Sequence, residues 1–303
     1  MKHFAEYQHQ PDKLRALRIL VQIGTIQASL RGKYFLPDGR GVLLNKKLIE
    51  NSARCTVMYG SEHKFPNNMV TCPATKIHVI HGDCLESALW LKKEFKCNPV
   101  CLNMASRSNP GGGYRKGSGA QEENLHRRTT LFNCLDDPYL LNPKKNWSYP
   151  LPDFGGIYAK DCVVFRRSEE HGYAFMEEPE LMSFVCVFAY SNPPLEANDK
   201  GELRIGKKVA NDTKKKIETI FNIAKVQGHD SIILSAFGCG AYGNPPKHMA
   251  ELFKEVISSK FSSAFSHIVF SIYDDHNTGQ DHNPDGNLNS FAAVFGIVPS
   301  KLE

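Results

Sequence analysis

Several stretches of this 303-residue chain are apolar without interruption, and they restrict its fold more than any other feature. Ser231-Ile232-Ile233-Leu234-Ser235-Ala236-Phe237, His267-Ile268-Val269-Phe270-Ser271-Ile272-Tyr273 and the run from Met182 to Tyr190 do not alternate apolar with polar residues. Successive side chains of a strand point to opposite faces, so an unbroken apolar strand is buried on both. That requires helices above and below one sheet. The intervening segments supply them. Ile205 to Gln227 carries Val209, Ile217, Ile220, Phe221 and Ala224 at helical spacing. A second helix is expected from Pro245-Pro246 to about Phe261, with Asn244 as its cap and proline in its first turn. Upstream, Lys76 to His81 reads as a strand, and Asp83 with Glu86 forms a D-x-x-E start for a helix reaching Phe95. Pro99 to Ala105 and Cys162 to Phe165 are further strands. The fold class expected is α/β, three layers of α/β/α, from about residue 75 to 298.

Residues 1–74 lack this alternation and read as a helical N-terminal extension, with 75–303 as the main domain. In the extension, Asp12 opens a helix through Leu14, Leu17, Ile19-Leu20-Val21 and Ile23 that Gly24 is expected to close. Gly32, Pro37-Asp38-Gly39 and Gly41 then suggest a hairpin or loop. Residues 136–160, rich in Pro, Asn and Gly, read as a long surface loop.

Hydrophobic residues are 41% and charged residues 23%, which excludes disordered, collagenous and coiled-coil chains. No apolar run approaches a bilayer span, and no apolar stretch follows Met1 as in a signal peptide. Nine cysteines at irregular spacing, without a CxxC or CxxH pair, fit reduced thiols in the cytoplasm and argue against structural zinc. The formal charge of +5 favours an anionic ligand slightly but is too small for duplex DNA binding. The chain is expected to act as a monomer, without a membrane partner.

Two glycine-rich loops carry the chemistry. Asn103-Met104-Ala105-Ser106-Arg107-Ser108-Asn109-Pro110-Gly111-Gly112-Gly113 follows a strand and leads, after seven residues, to Gln121-Glu122-Glu123. Glycines leave backbone N–H groups open to a ligand, and ligands of open α/β sheets bind beyond the carboxyl ends of strands. The second loop, Gly238-Cys239-Gly240-Ala241-Tyr242-Gly243-Asn244, runs straight into a helix, a natural anion site. Neither fits the dinucleotide or P-loop spacing. Together with the acid pair, the loops point to one phosphorylated ligand.

The spacing Gly111-Gly112-Gly113, seven residues, Gln121-Glu122-Glu123 resembles the signature of poly(ADP-ribose) glycohydrolases, and the wider chain resembles the microbial-type branch of that family. The resemblance implies a macrodomain fold with a mixed central sheet and an ADP-ribose ligand, on poly(ADP-ribose) or on an ADP-ribosylated protein, with no cofactor and no metal. It makes Glu123 the catalytic acid/base and gives Glu122 the distal ribose, with Gln121 orienting them. Adjacent residues diverge by about 100° on a helix, so the two acids need different roles. Asp83 would accept from the adenine amino group, and it also suits a plain helix cap. Asn103 or Ser106 would bind the distal ribose, and Asn109 would shape the glycine loop. Gly238, Cys239, Gly240, Ala241, Gly243 and Asn244 would clasp the diphosphate, with Tyr242 covering the distal ribose and the diphosphate. Tyr273 or Phe270 would lie near adenine.

Weaker features have blander readings. Asp274-Asp275-His276 and Asp281-His282 could hold a metal for a phosphohydrolase but fit a solvated loop better. Arg166-Arg167 suits an anionic polymer or a plain surface, and Lys214-Lys215-Lys216 suits a solvated helix face. Cys239 reads as a small loop residue rather than a nucleophile. Two rival functions remain: a mono-ADP-ribosyl-arginine hydrolase, and a reader that binds ADP-ribose without cleaving it. The intact acid pair argues against the reader.

Overall fold

The computed structural model describes residues 3–7, 9–66, 72, 74–274 and 276–302. A short helix α1 (His3–Glu6) and a long helix α2 (Pro11–Arg31) lead into a hairpin of β1 (Lys33–Phe35) and β2 (Gly41–Leu43), helix α3 (Lys46–Arg54) and strand β3 (Val57–Tyr59). Strand β4 (Lys76–His81), helix α4 (Cys84–Phe95) and strand β5 (Pro99–Met104) follow. Helices α5 (Gln121–Arg128) and α6 (Leu131–Leu135) precede the long strands β6 (Gly156–Arg166) and β7 (Phe175–Val187). The rest comprises a hairpin of β8 (Leu195–Ala197) and β9 (Leu203–Ile205), then α7 (Lys207–Val226), β10 (Ser231–Leu234), α8 (Pro246–Lys260), β11 (His267–Ile272), α9 (Asn287–Phe295) and β12 (Ser300–Lys301). The expected α/β class is borne out.

Two compact units divide the chain, and they are interleaved in sequence. One takes residues 1–58, 105–151 and 157–186, the other 59–104, 152–156 and 187–303. The second unit holds five parallel strands in the order β12-β4-β11-β10-β5. Every residue of β10 and β11 is buried, as unbroken apolar strands require. Helix α4 packs on β5, β10 and β11, while α9 packs on β4 and β11 and α8 on α7 and α9. Phe253, Phe270, Phe291 and Phe295 form a ring cluster among these elements. Asp83 caps α4 as its spacing predicts, with Oδ1 accepting from Leu85 N and Glu86 N at 3.0 Å each.

In the first unit, β6 and β7 pair antiparallel, with register shifts between Ala159 and Cys162 and between Val164 and Arg166. The hairpin β1–β2 forms as expected, and Tyr34, Leu36, Leu44, Ile49, Val163 and Phe165 pack into one cluster. Three expectations need correction here. Helix α2 does not end at Gly24; it runs to Arg31, and Gly32 closes it at φ +69° with its amide bonded to Ala28 O and Ser29 O. The stretch 136–160 is not wholly a loop, since β6 starts at Gly156. Arg166 is no surface group: it is buried, its Nε donates to Thr25 Oγ1 and its Nη1 to Tyr173 O, and its charge sits 3.7 Å from the Phe175 ring centre. Burial pushes its guanidinium down to about 10.

Arg166 also explains Gly24. A Cβ there would lie 2.8 Å from Arg166 Nη2, which its hydrogen bonds hold in place. Helix propensity alone predicts that Gly24→Ala stabilises by about 1 kcal/mol. The packing predicts the opposite sign, a net loss of about 1–3 kcal/mol in urea denaturation. A variant more stable than wild type would show that Arg166 yields freely.

Candidate active site

The first unit builds a pocket of backbone amides around two carboxylates. Glu122 and Glu123 stand in the first turn of α5, where the helix dipole favours negative charge. Both are buried, at 3% and 7% exposure, so neither is a solvated helix start. Glu122 Oε2 accepts from Ser106 N at 2.7 Å, and its Oε1 from Gly111 N at 3.2 Å. Glu123 Oε1 accepts from Gly113 N at 2.8 Å. Two adjacent buried anions repel, and these amide dipoles offset that repulsion. The remaining oxygen, Glu123 Oε2, is buried and has no partner. The acids therefore differ as their adjacency requires. Glu122 has both oxygens engaged by backbone, while Glu123 keeps one for chemistry.

The glycine triad serves the acids rather than standing open. Its amides were expected to face a ligand, but Gly111 and Gly113 donate to Glu122 and Glu123, and Gly112 donates to Asn109 O at 2.9 Å. A Cβ on Gly112 would lie 2.4 Å from Glu123 Oε1 and one on Gly111 2.7 Å from the His126 ring, and both glycines have positive φ. The motif thus makes room for its own carboxylates. Ser106 Oγ accepts from Asn109 N at 3.2 Å, which shapes the preceding turn. Gln121 opens α5 half-buried.

Residues that the sequence reading passed over complete this pocket. His126 is fully buried, and Glu122 O can only accept, so Nδ1–H is the donor across their 2.9 Å contact. Its Nε2 lies unpartnered against Gly111. Burial pushes this imidazole down to about 4, a backbone hydrogen bond opposing it weakly. Arg127 Nη2 and the Tyr149 hydroxyl are likewise buried without partners. Orphaned polar atoms normally cost about 1–3 kcal/mol each, so those of Glu123, His126 and Arg127 on α5 are not there for stability.

The second unit holds the other expected residues. Asn103 is fully buried on β5. Asp83 is buried at the end of β4, where Gly82 N bonds to Ile272 O of β11 at 3.2 Å. Tyr273, just past β11, is 40% exposed, with its ring edge-on to His81. Phe270 lies wholly in the phenylalanine cluster, which leaves Tyr273 as the aromatic candidate for adenine. The loop 238–244 is braced from within. Asn244 does not cap α8, since Pro245 takes that position. Its Nδ2 instead donates to the carbonyls of Tyr190, Gly238 and Tyr242 at 2.8, 2.9 and 3.2 Å. Gly238 and Gly243 take positive φ, and a Gly238 Cβ would strike Ala189 Cβ at 2.6 Å. Among the described residues, the amides of Gly240 and Ala241 donate to nothing in the chain. Cys239 is buried, and Tyr242 is half-buried beside Asn192, whose amide donates to Tyr242 O.

The remaining features resolve as structure. Asp274 Oδ1 accepts from Asn287 N and Leu288 N at the start of α9, while Asp275 lies outside the described residues. Lys216 is not solvated: it is fully buried, with Nζ 3.4 Å from the Phe188 ring centre and donating to Asp153 O.

Similarity to known proteins points to the family that the sequence resembles. The family model described as microbial-type PARG, catalytic domain, matches residues 23–167. In structure, the chain is similar to the poly(ADP-ribose) glycohydrolase (PARG) of Thermomonospora curvata, with TM-score 0.75 and 26% identity over 93% of this chain and 100% of that one. The same bacterial protein bound to the inhibitor ADP-HPD gives TM-score 0.71 and 25% identity over 92% of this chain and 99% of that one. The fold is also that of the Deinococcus radiodurans PARG in complex with ADP-ribose, with TM-score 0.60 and 20% identity over 82% of this chain and 96% of that one. No curated protein matches the chain.

Two outcomes follow from this geometry. Gly112→Ala pushes Glu123 off the Gly113 amide, so turnover should fall by about 100-fold while the fold persists; unchanged turnover would contradict the packing. The depressed His126 leaves the unfolded chain, near its ordinary value of about 6.5, to bind the proton first. Stability should therefore fall as pH drops from about 6.5 to 4, by up to about 1.4 kcal/mol per pH unit, with a shallower fall in His126→Asn. Urea melts across that range check it, and identical slopes in the two proteins would contradict it.

Proposed function

We propose that this chain is a poly(ADP-ribose) glycohydrolase that cleaves the glycosidic bond at the distal ribose of an ADP-ribose unit, with Glu123 as acid and base. One observation carries the reading: Glu123 Oε1 is pinned by Gly113 N while the buried Oε2 is left without a partner. A general acid needs a fixed direction and one uncommitted oxygen, and Glu123 has both. The family match and the glycohydrolase structures support the substrate class.

The reaction balances on this residue. Protonated Oε2 gives its proton to the oxygen leaving the anomeric carbon as that C–O bond breaks through an oxocarbenium-like state. Water then forms the new C–O bond and returns a proton to the carboxylate. The products are free ADP-ribose and the shortened chain or unmodified protein. Glu122, held by Ser106 N and Gly111 N, presents a fixed negative edge suited to the ribose hydroxyls. The second unit, taken by itself, offers the Gly240 and Ala241 N–H groups to an anion. The nine free thiols fit a reducing compartment, so the proposal includes a cytoplasmic site of action.

The test is release of ADP-ribose from poly(ADP-ribose) and, in parallel, from mono-ADP-ribosylated protein. Wild type should release it from the polymer. Glu123→Gln should lose about 10²–10⁴-fold in turnover yet still bind ADP-ribose, because its amide oxygen can accept from Gly113 N. Release from mono-modified protein alone would favour the arginine-type hydrolase. Binding without release from either substrate would establish a reader and overturn the proposal.

A further inference from the structure

Helix α2 carries polar residues inward. Gln22, Thr25 and Ser29 are buried, whereas Leu20, Ile23 and Leu30 stand in solvent. An amphipathic helix ordinarily does the reverse. The inward stripe is Arg18, Gln22, Thr25 and Ser29, at spacings of three and four. Thr25 Oγ1 donates to Arg127 O of α5 at 2.5 Å, and Asn133 Nδ2 of α6 donates to Ser29 Oγ at 3.1 Å. Arg18 makes the strongest contact, with Nε and Nη2 each donating to one Glu169 oxygen at 2.8 Å. Such two-pronged pairs fix direction as well as distance.

From Glu169 the contacts run to the catalytic loop without a gap. The Tyr173 hydroxyl donates to Glu169 Oε2 at 2.8 Å and accepts from Arg127 Nε at 2.9 Å and Asn124 Nδ2 at 3.0 Å. Its one proton and both lone pairs are thereby committed. Arg127 Nη1 donates to Ser118 O at 2.7 Å. Ser118 lies in the linker between the glycine triad and α5, and a Cβ on Gly113 would meet its Oγ at 2.2 Å. The linker also touches α2 directly: a Cβ on Gly119 would lie 2.3 Å from Arg18 Nη1, and one on Gly117 2.3 Å from Arg15 O. Burial alone would raise the Glu169 carboxyl, but the Arg18 hydrogen bond and charge and the Tyr173 hydroxyl outweigh it and hold it below the usual range.

Resting on the assignment of Glu123 as acid and base, we propose that Arg18 is a positioning residue for the reaction: clamped to Glu169, its guanidinium holds the linker 117–120 and so the Gly113 amide that aims Glu123. Substrate contact is not part of this role. The effect therefore belongs to kcat and not to affinity.

Steady-state cleavage of poly(ADP-ribose) by the full chain tests it, alongside ADP-ribose affinity and melting temperature. Arg18→Met should lower kcat about 10- to 100-fold, with KM, ADP-ribose affinity and melting temperature near wild type. Arg18→Lys should recover part of the loss, since one ammonium can serve only one Glu169 oxygen. Glu169→Gln combined with Arg18→Met should cost no more than Arg18→Met alone, the non-additivity of one network. Gly119→Ala keeps both charges and displaces the guanidinium, so it should reproduce the kcat loss even if Arg18→Met fails to fold. Wild-type kcat in Arg18→Met or Gly119→Ala would overturn the proposal. So would a kcat loss that follows the melting temperature and is no smaller in Arg18→Lys. An inactive wild type, or an active Glu123→Gln, would instead remove the assignment of Glu123 on which the role rests.

Discussion

Two neighbouring carboxylates buried at one helix start are the constraint on which the first unit depends. Left alone they would repel each other and lose their hydration, a combination that normally forces one to stay protonated or to move out into water. The chain answers with backbone. Ser106 N and Gly111 N take Glu122, Gly113 N takes Glu123, and the α5 dipole adds to both. Those amides reach the carboxylates because Gly111 and Gly112 lack a Cβ and adopt positive φ. The local sequence, the backbone conformation and the chemistry of Glu123 are thus a single arrangement. A side chain on the triad would disturb all three together.

The surroundings of that arrangement are polar where a core is usually apolar. Arg127, Arg128, Tyr173 and His126 are among the most deeply buried side chains of the unit. Each ordered hydrogen bond to a charged group contributes roughly 1.5–3 kcal/mol, while each orphaned atom costs a similar amount. A network of this kind therefore gains little net stability over a hydrocarbon core, but it fixes angles that hydrocarbon cannot. The inverted helix α2 follows from the same need. Thr25 and Ser29 of its polar stripe make hydrogen bonds with α5 and α6, and Leu20, Ile23 and Leu30 are left outside.

Much of this was readable in the sequence where one local rule decides the outcome. The unbroken apolar runs at 231–237 and 267–273 became β10 and β11, buried on both faces, and Asp83 caps the helix its spacing announced. The glycine triad and the acid pair declared themselves by residue type. Long-range partners hid the rest. Gly24 looks like a helix stop until Arg166 is seen across it, and Gly32, about two helical turns later, carries the real stop. Asn244 looks like a cap because asparagine before proline usually is one, yet three carbonyls of its own unit claim its amide. Lys216 looks like a third surface lysine, and only the rings of Phe188 and Tyr190 show why it is buried. The glycine amides looked available to a ligand because a sequence does not show that the acids ten residues later will take them. The apolar spacing announced helix α2, but nothing in that spacing tells which of its faces turns inward.

The most direct measurement is a crystal structure of the Glu123→Gln protein with ADP-ribose. The account predicts the anomeric hydroxyl of the distal ribose within about 3 Å of the free side-chain atom of residue 123, with Gly113 N still bonded to the other. A distal ribose facing away from α5, or a residue 123 side chain turned into solvent, would contradict it.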